Sequence, residues 1–194
     1  KSVGVCNGLF RATRNVRRVA LIWRDDVHDD QLIYWRWGRP WMNTRHLIER
    51  FRHYLPVKEL GQHGRFICVL TDLETGTPVY REITPDSPIW RIVLASIAIP
   101  PIVEPVEMGG RWFGDGGLSE ALPIEWVIAQ GYTDITVILN RPLRSRDDPR
   151  FNRLVSPLIL RPFPMARRAF VKAADRYNQA LHILQNPPSG VRIR

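Results

Sequence analysis

The chain has 194 residues, 44% hydrophobic and 24% charged, which is enough apolar content for one packed domain and excludes general disorder. Its formal net charge of +9 favours anionic partners, such as nucleic acid, acidic substrates or phospholipid headgroups. Two cysteines, Cys6 and Cys68, are too few for a disulfide framework, so we expect reduced thiols in an intracellular protein. No stretch approaches the roughly 20 apolar residues that span a bilayer.

The first predicted elements, in chain order, are helical and basic. Residues 2–10 are small, apolar and interrupted by glycine, which is typical of a tight turn that leads into a helix. Several of the arginines that follow are expected to share one helical face: Arg11, Arg14, Arg17 and Arg18. Residues 25–40 indicate an exposed excursion with aromatic anchors. A helix capped by Asn43 or Thr44 is predicted to end at Pro56.

The middle of the chain changes to strand patterns. Residues 65–71 form a short apolar run without alternation, which predicts a strand buried on both faces. A turn at residues 72–78 is followed by a returning strand at residues 79–81. Residues 89–97 indicate an apolar helix, and residues 111–113 a strand that leads into a glycine-rich turn.

A second strand-and-helix unit follows. Pro123 suits the first turn of a helix over residues 124–130, and Asp134–Leu139 predicts another buried strand. Strand, helix and strand in this order indicate a right-handed crossover and a largely parallel sheet, so the predicted class is α/β. The last predicted helix covers residues 165–184 and carries Phe170, Ala174, Tyr177 and Leu181 at helical spacing.

Asp115 is the first candidate for chemistry. It stands between Gly114 and Gly116-Gly117 at the end of a predicted strand, where catalytic groups gather in α/β sheets. The alternative is an aspartate that only bonds the backbone of its own turn.

Ser2 is the second candidate. Ser2-Val3-Gly4 matches the end of the G-x-S-x-G motif, whose serine lies on a strand-to-helix turn beside a free backbone N–H. The alternative is an ordinary serine near the start of the chain.

These motifs together resemble the patatin-like phospholipase family, and its bacterial branch looks most similar. Residues 2–7, SVGVCN, resemble the nucleophile turn S-A-G-A-x-N, and residues 69–79 resemble the strand and turn TDLxTGxPV. Residues 94–100 resemble the helix end ASxAxP, and residues 113–118, FGDGGL, resemble the DGG block. Order and spacing agree from residue 2 to residue 139. Residues 141–194 are interpreted as a C-terminal helical extension of one partial domain, 1–194.

The resemblance implies a three-layer α/β/α fold with a mainly parallel central sheet, from which the N-terminal strand and oxyanion loop of the family are missing. It implies a lipid acyl hydrolase that cleaves (lyso)phospholipids or related glycerolipids without a metal or other cofactor. By analogy, Ser2 is the nucleophile and Asp115 is the general base of a catalytic dyad. Val3, Gly4, Gly116 and Gly117 correspond to positions that bind the oxyanion and the substrate.

A dyad needs no histidine, and the five histidines all lie in segments of polar or basic character: His28, His46, His53, His63 and His182. Eight arginines could contact anionic headgroups or form a solvated surface: Arg11, Arg14, Arg17, Arg18, Arg24, Arg161, Arg167 and Arg168. Four tryptophans could anchor the chain at an interface or pack beneath a loop: Trp23, Trp35, Trp37 and Trp41.

The expected partners are an acyl-ester substrate and an anionic membrane surface, for a cytoplasmic protein that associates peripherally. One alternative is a catalytically inactive patatin-like fragment that serves as a binding or scaffold piece. A basic nucleic-acid-binding module is another, although none of the standard binding motifs is present. No specific nucleic acid is expected.

Overall fold

The computed structural model describes residues 2–26, 33–36 and 39–194, with side chains for residues 4–25 and 42–194. The helices are α1 (Ser2–Ala12), α2 (Val16–Leu21), α3 (Thr44–Tyr54), α4 (Ile89–Ser96), α5 (Ile124–Ala129), α6 (Pro149–Ile159) and α7 (Pro164–Gln185). The strands are β1 (Ile33–Arg36), β2 (Arg39–Met42), β3 (Ile67–Asp72), β4 (Pro78–Glu82), β5 (Val106–Met108), β6 (Arg111–Asp115), β7 (Asp134–Ile135) and β8 (Arg192–Ile193). A π-helical turn continues α2 over Ile22–Asp26, and 3-10 turns cover Val57–Glu59 and Gly116–Leu118.

Four strands form the main sheet in the order β4-β3-β6-β5, and each neighbouring pair is antiparallel. Short connections impose this direction on two of the three pairs, β3–β4 and β5–β6. Residues 73–77 join β3 to β4, and Gly109-Gly110, with φ of 62° and 75°, joins β5 to β6. Strands joined by such short turns can only run antiparallel. The fold is mixed α/β as predicted, but the mainly parallel central sheet is wrong for the described residues.

Strand β3 confirms the strand predicted at residues 65–71 and lies inside the sheet, between β4 and β6. Its side chains alternate between the two faces. Cys68 and Leu70 are buried in the main core, together with residues of α1 and α4. Val69 lies opposite Tyr80 of β4, and Tyr80 stacks on Trp126 of α5 with ring centroids 4.2 Å apart. Helices therefore contact the sheet from both sides.

The interior strand predicted at Asp134–Leu139 is wrong. Only its first two residues form a strand, β7, which pairs in parallel with β8 and not with β6. Residues 192–193 supply this partner, and Arg192 and Arg194 also reach the carboxylate of Asp134 at 2.6 and 2.8 Å. Ile138 is 93% exposed, so the apolar run does not continue as a buried strand.

Most predicted helices are confirmed. Helix α3 begins after Asn43, whose side-chain oxygen accepts the N–H of His46 at 3.1 Å, and it ends before Pro56. Helices α4, α5 and α7 match the predicted segments, and Tyr177 and Leu181 of α7 are buried as their spacing predicts.

The basic N-terminal segment is not one helix. Arg14 has a φ of 57° and lies in the turn between α1 and α2, which separates Arg11 from Arg17 and Arg18. The prediction that several of these arginines share a helical face is therefore wrong, because the chain breaks in the middle of the repeat.

Trp23 supports the packing alternative for the tryptophans. It is half-buried, lies 5.1 Å from the Phe51 ring between centroids, and donates its N–H to Asn7 at 2.8 Å. The side chains of Trp35 and Trp41, and the whole of Trp37, lie outside the described residues. In the described part of the chain, no helix is long and apolar enough to cross a membrane.

Candidate active site

Asp115 ends β6, and hydrogen bonds of its backbone and its side chain help to hold it there. Its N–H donates to the carbonyl of Ala98 at 2.9 Å, and its own carbonyl accepts the Thr71 hydroxyl at 2.7 Å. One carboxylate oxygen accepts the N–H of Gly117 at 2.6 Å. The turn-capping bond of the alternative interpretation is therefore present. Asp115 is only 2% exposed, and it is one of the residues that line a cavity.

The glycines around Asp115 allow close packing. A Cβ added at Gly116 would lie 2.8 Å from the carbonyl carbon of Val69, and closer still to its oxygen. At Gly114 an added Cβ would meet the carbonyl oxygen of Ala98 at 3.1 Å. The sequence around the aspartate is therefore glycine-rich because backbone from β3 and from the end of α4 approaches it directly.

Thr71 and Ser119 are site residues that the sequence analysis did not single out. Both are completely buried, and their hydroxyl oxygens lie 2.8 Å apart. Because the Thr71 hydroxyl also donates to the carbonyl of Asp115, the pair fixes the end of β6 against β3. The signal for Thr71 was its position just before the Asp72 turn, although nothing local indicated its partner 44 positions away.

The Asp72 turn is a structural part of the site. One carboxylate oxygen of Asp72 accepts the N–H groups of Glu74 and Thr75 at 2.9 and 3.1 Å, and the other forms an ion pair with Arg111. Gly76 has a φ of 72°, a conformation that other residues rarely adopt. These contacts give the residues of the turn a structural role, and they do not indicate a catalytic one.

The first turn of α1 faces Asp115 across a cavity of about 310 Å³. Its lining comprises Gly4, Val5, Phe66, Ile67, Cys68, Val69, Ser96, Asp115, Gly116, Gly117, Glu120, Ala121 and Pro123. The first N–H groups of a helix have no partner within it and carry the positive end of its dipole. The cavity therefore combines a buried carboxyl group with a helix end that favours negative charge.

Four of the six predicted site residues line this cavity: Gly4, Asp115, Gly116 and Gly117. Ser2 is the first residue of α1, two positions before Gly4, while the side chains of Ser2 and Val3 lie outside the described residues. His28 also lies outside them. None of the other four histidines lines the cavity: His46, His53, His63 and His182.

Burial changes the acid–base behaviour of three cavity or core groups. It raises the pKa of the Cys68 thiol to about 12, even though a hydrogen bond with Ser96 acts in the opposite direction. It also raises the pKa of Cys6 to about 12. Burial raises the pKa of Glu120, and Arg176 partly offsets this effect. Both thiols are therefore poor nucleophiles at neutral pH, because the thiolate is the reactive form.

No group of three or more His, Cys, Asp or Glu side chains within the described residues could hold a metal ion. Among the described residues, those that line the cavity and carry reactive side chains are Asp115 and Glu120 with carboxyl groups, Ser96 with a hydroxyl and Cys68 with a thiol.

A family model described as patatin-like phospholipase matches residues 2–128, which is more than half of the chain. The match includes α1, the central strand β3, the end of α4 and the Asp115 turn, so it covers every element that lines the cavity. A search among curated proteins finds no match to the chain. The chain therefore belongs to the patatin-like phospholipase family of lipid acyl hydrolases.

Proposed function

We propose that the chain hydrolyses acyl esters of phospholipids, lysophospholipids or related glycerolipids, with Ser2 as nucleophile and Asp115 as general base. The observation that supports this most is the cavity between the first turn of α1 and the Asp115 turn. Ser2 begins α1, so its backbone belongs to the same helical turn as Gly4, which lines the cavity together with Asp115.

In the proposed reaction, the Ser2 hydroxyl oxygen attacks the ester carbonyl carbon while the carboxylate of Asp115 takes the hydroxyl proton. The tetrahedral intermediate collapses to an acyl-serine, and the departing alcohol receives the proton from Asp115. Water then attacks the acyl-serine with Asp115 again as base, which releases the fatty acid and restores the Ser2 hydroxyl.

The helix end supports the charge that develops on the carbonyl oxygen. Backbone N–H groups at Val3 and Gly4 belong to the first turn of α1 and have no acceptor within the helix. Donors of this kind act on the oxyanion of the transition state, and loss of one typically costs about 100-fold or more in rate. Gly4 has open space where a Cβ would stand, which leaves room for an acyl group.

The test compares esterase activity on short-chain p-nitrophenyl esters in single variants. Ser2→Ala and Asp115→Asn are each expected to lower kcat by roughly 1,000-fold or more, because each removes a group required in the transition state. His63→Ala and His182→Ala are the matched controls and should retain most of the activity.

Substantial activity in Asp115→Asn, or its loss in a histidine variant, would overturn the dyad. A folded wild-type chain without turnover would favour the inactive binding or scaffold piece. Salt-sensitive retention on DNA would favour the nucleic-acid-binding alternative.

The proposal includes peripheral association of a cytoplasmic protein with an anionic membrane. Its support is the formal net charge of +9, since basic surfaces are attracted to anionic lipid.

A further inference from the structure

Helix α6 leaves an apolar stripe in solvent. Phe151, Leu154 and Leu158 follow one another at spacings of three and four, so they share one side of the helix. Their exposed fractions are 63%, 80% and 76%, which are unusual for side chains of this size. Contiguous exposed apolar side chains on a folded surface indicate a site of interaction.

The stripe is not explained by poor packing of the helix, because the other side of α6 is well fixed. Leu160, just after the helix, is completely buried in a cluster with Leu73, Leu118 and Ala166. The side chain of Asn152 donates to the carbonyl of Phe170 in α7 at 2.9 Å. The helix is therefore held to α7 with its apolar stripe turned away from the core.

The charge around the stripe indicates what covers it. Residues 141–172 contain nine Lys or Arg residues against two aspartates. Both aspartates are engaged, since Asp147 pairs with Arg141 and Asp148 accepts the backbone N–H of Arg150 at the start of α6. Within the described part of the chain, the guanidinium groups of Arg150, Arg153 and Arg161 form no ion pair, and all three residues are exposed.

We infer that α6 docks onto an anionic phospholipid surface, with its apolar stripe among the acyl chains and the neighbouring arginines at the phosphates. A helix with an apolar side flanked by basic residues lies in the plane of such an interface. The same stripe on a second copy would bring two sets of unpaired arginines together, which disfavours a dimer. Nucleic acid would match the charge but leave the apolar stripe exposed.

The inference rests on the proposed function, because it names the surface through which a lipid hydrolase would bind the membrane that holds its substrate. Helix α6 lies outside the region that the family model matches, residues 2–128. Its supporting cluster includes Leu118, the residue after Gly117 in the Asp115 turn. A docked α6 would therefore sit on the same packed unit as the proposed active site.

The test is flotation of the whole chain with phosphatidylcholine vesicles, with and without phosphatidylserine. The double variant Leu154→Ser/Leu158→Ser should bind the phosphatidylserine vesicles at least about tenfold less, since it removes most of the buried apolar area. Arg150→Gln/Arg153→Gln should weaken binding and reduce its dependence on salt. The matched control is Leu21→Ser/Arg17→Gln on α2, where Leu21 is 46% exposed, and it should bind like the wild type.

Hydrolysis of a soluble short-chain ester and the far-UV circular dichroism spectrum should be unchanged in all these variants, and Ser2→Ala should still float with the vesicles. A failure of the dyad is thereby separated from a failure of docking. Unchanged flotation of Leu154→Ser/Leu158→Ser, or an equal loss in the α2 control, would overturn the inference. If sedimentation shows that the wild type is a dimer and that Leu154→Ser/Leu158→Ser is a monomer, the stripe binds a second copy of the chain and the inference is wrong.

Discussion

Gly116 offers the sharpest test of how the Asp115 turn is packed. Replacement by alanine would place a Cβ 2.8 Å from the carbonyl carbon of Val69, whereas real Cβ atoms essentially never come closer than 3.0 Å. The obstacle is backbone within β3, so no side chain can rotate away to relieve it. The turn or the strand must shift, and with it the hydrogen bond between Gly117 and Asp115.

Overpacking of this kind typically costs about 1–3 kcal/mol in the free energy of unfolding. For a chain of this length, each kcal/mol lowers the Tm by about 2–4 °C. We therefore expect Gly116→Ala to melt about 2–12 °C below the wild type in thermal circular dichroism. Its esterase activity should fall as well, because the carboxyl group moves relative to α1.

Two glycines of the same site provide graded controls. Gly4→Ala meets no atom within 4 Å and replaces a helical glycine, so its stability should be unchanged or raised by up to about 1 kcal/mol. Gly114→Ala meets three atoms at 3.1 Å and should be intermediate. The reasoning is refuted if Gly116→Ala melts with the wild type, or if Gly4→Ala is as unstable as Gly116→Ala.

Two further predictions concern the residues around Asp115. Thr71→Val should lower the free energy of unfolding, measured with urea, by about 1–3 kcal/mol, because the buried Asp115 carbonyl and Ser119 hydroxyl lose a partner. Thr71→Ser keeps the hydroxyl and should lose less. Equal losses in the two variants would show that the hydroxyl is unimportant. Burial raises the pKa of Glu120, so the folded protein holds the Glu120 proton more tightly than the unfolded chain does. The folded protein therefore loses stability as the pH rises above 4.5, the ordinary pKa of glutamate. Glu120→Gln should therefore gain Tm relative to the wild type between acidic and neutral pH, and a constant Tm difference across that range would contradict the assignment.

Much of the site was predictable because its signals are local. A glycine on each side of Asp115 and the Ser2-Val3-Gly4 turn identify a family motif, and four of the six predicted site residues line the cavity: Gly4, Asp115, Gly116 and Gly117. Thr71, Cys68 and Glu120 were not predicted as site residues. Each is ordinary in its own segment, and only the pairing of β3 with β6 and the turn after β6 bring them to Asp115.

The sequence by itself determined the elements whose signals lie within a few positions. The Asn43 cap, the apolar spacing of α7 and the turn between β3 and β4 depend on neighbouring residues, so their patterns predict them. The family assignment belongs to the same class, because it rests on short motifs in a fixed order.

Only the tertiary structure decided strand direction, strand partners and which face of a helix stays in solvent. Strand β7 matches the pattern of a buried strand, yet its partner is β8, which lies 58 positions away and reaches Asp134 through Arg192. No separate helix is predicted from the sequence at α6, and only the packing of the opposite side of α6 against α7 shows that Leu154 stays exposed. A periodic pattern depends only on how residues are spaced along the chain. Burial also depends on which distant segments pack against the element, and a local pattern carries no information about those segments.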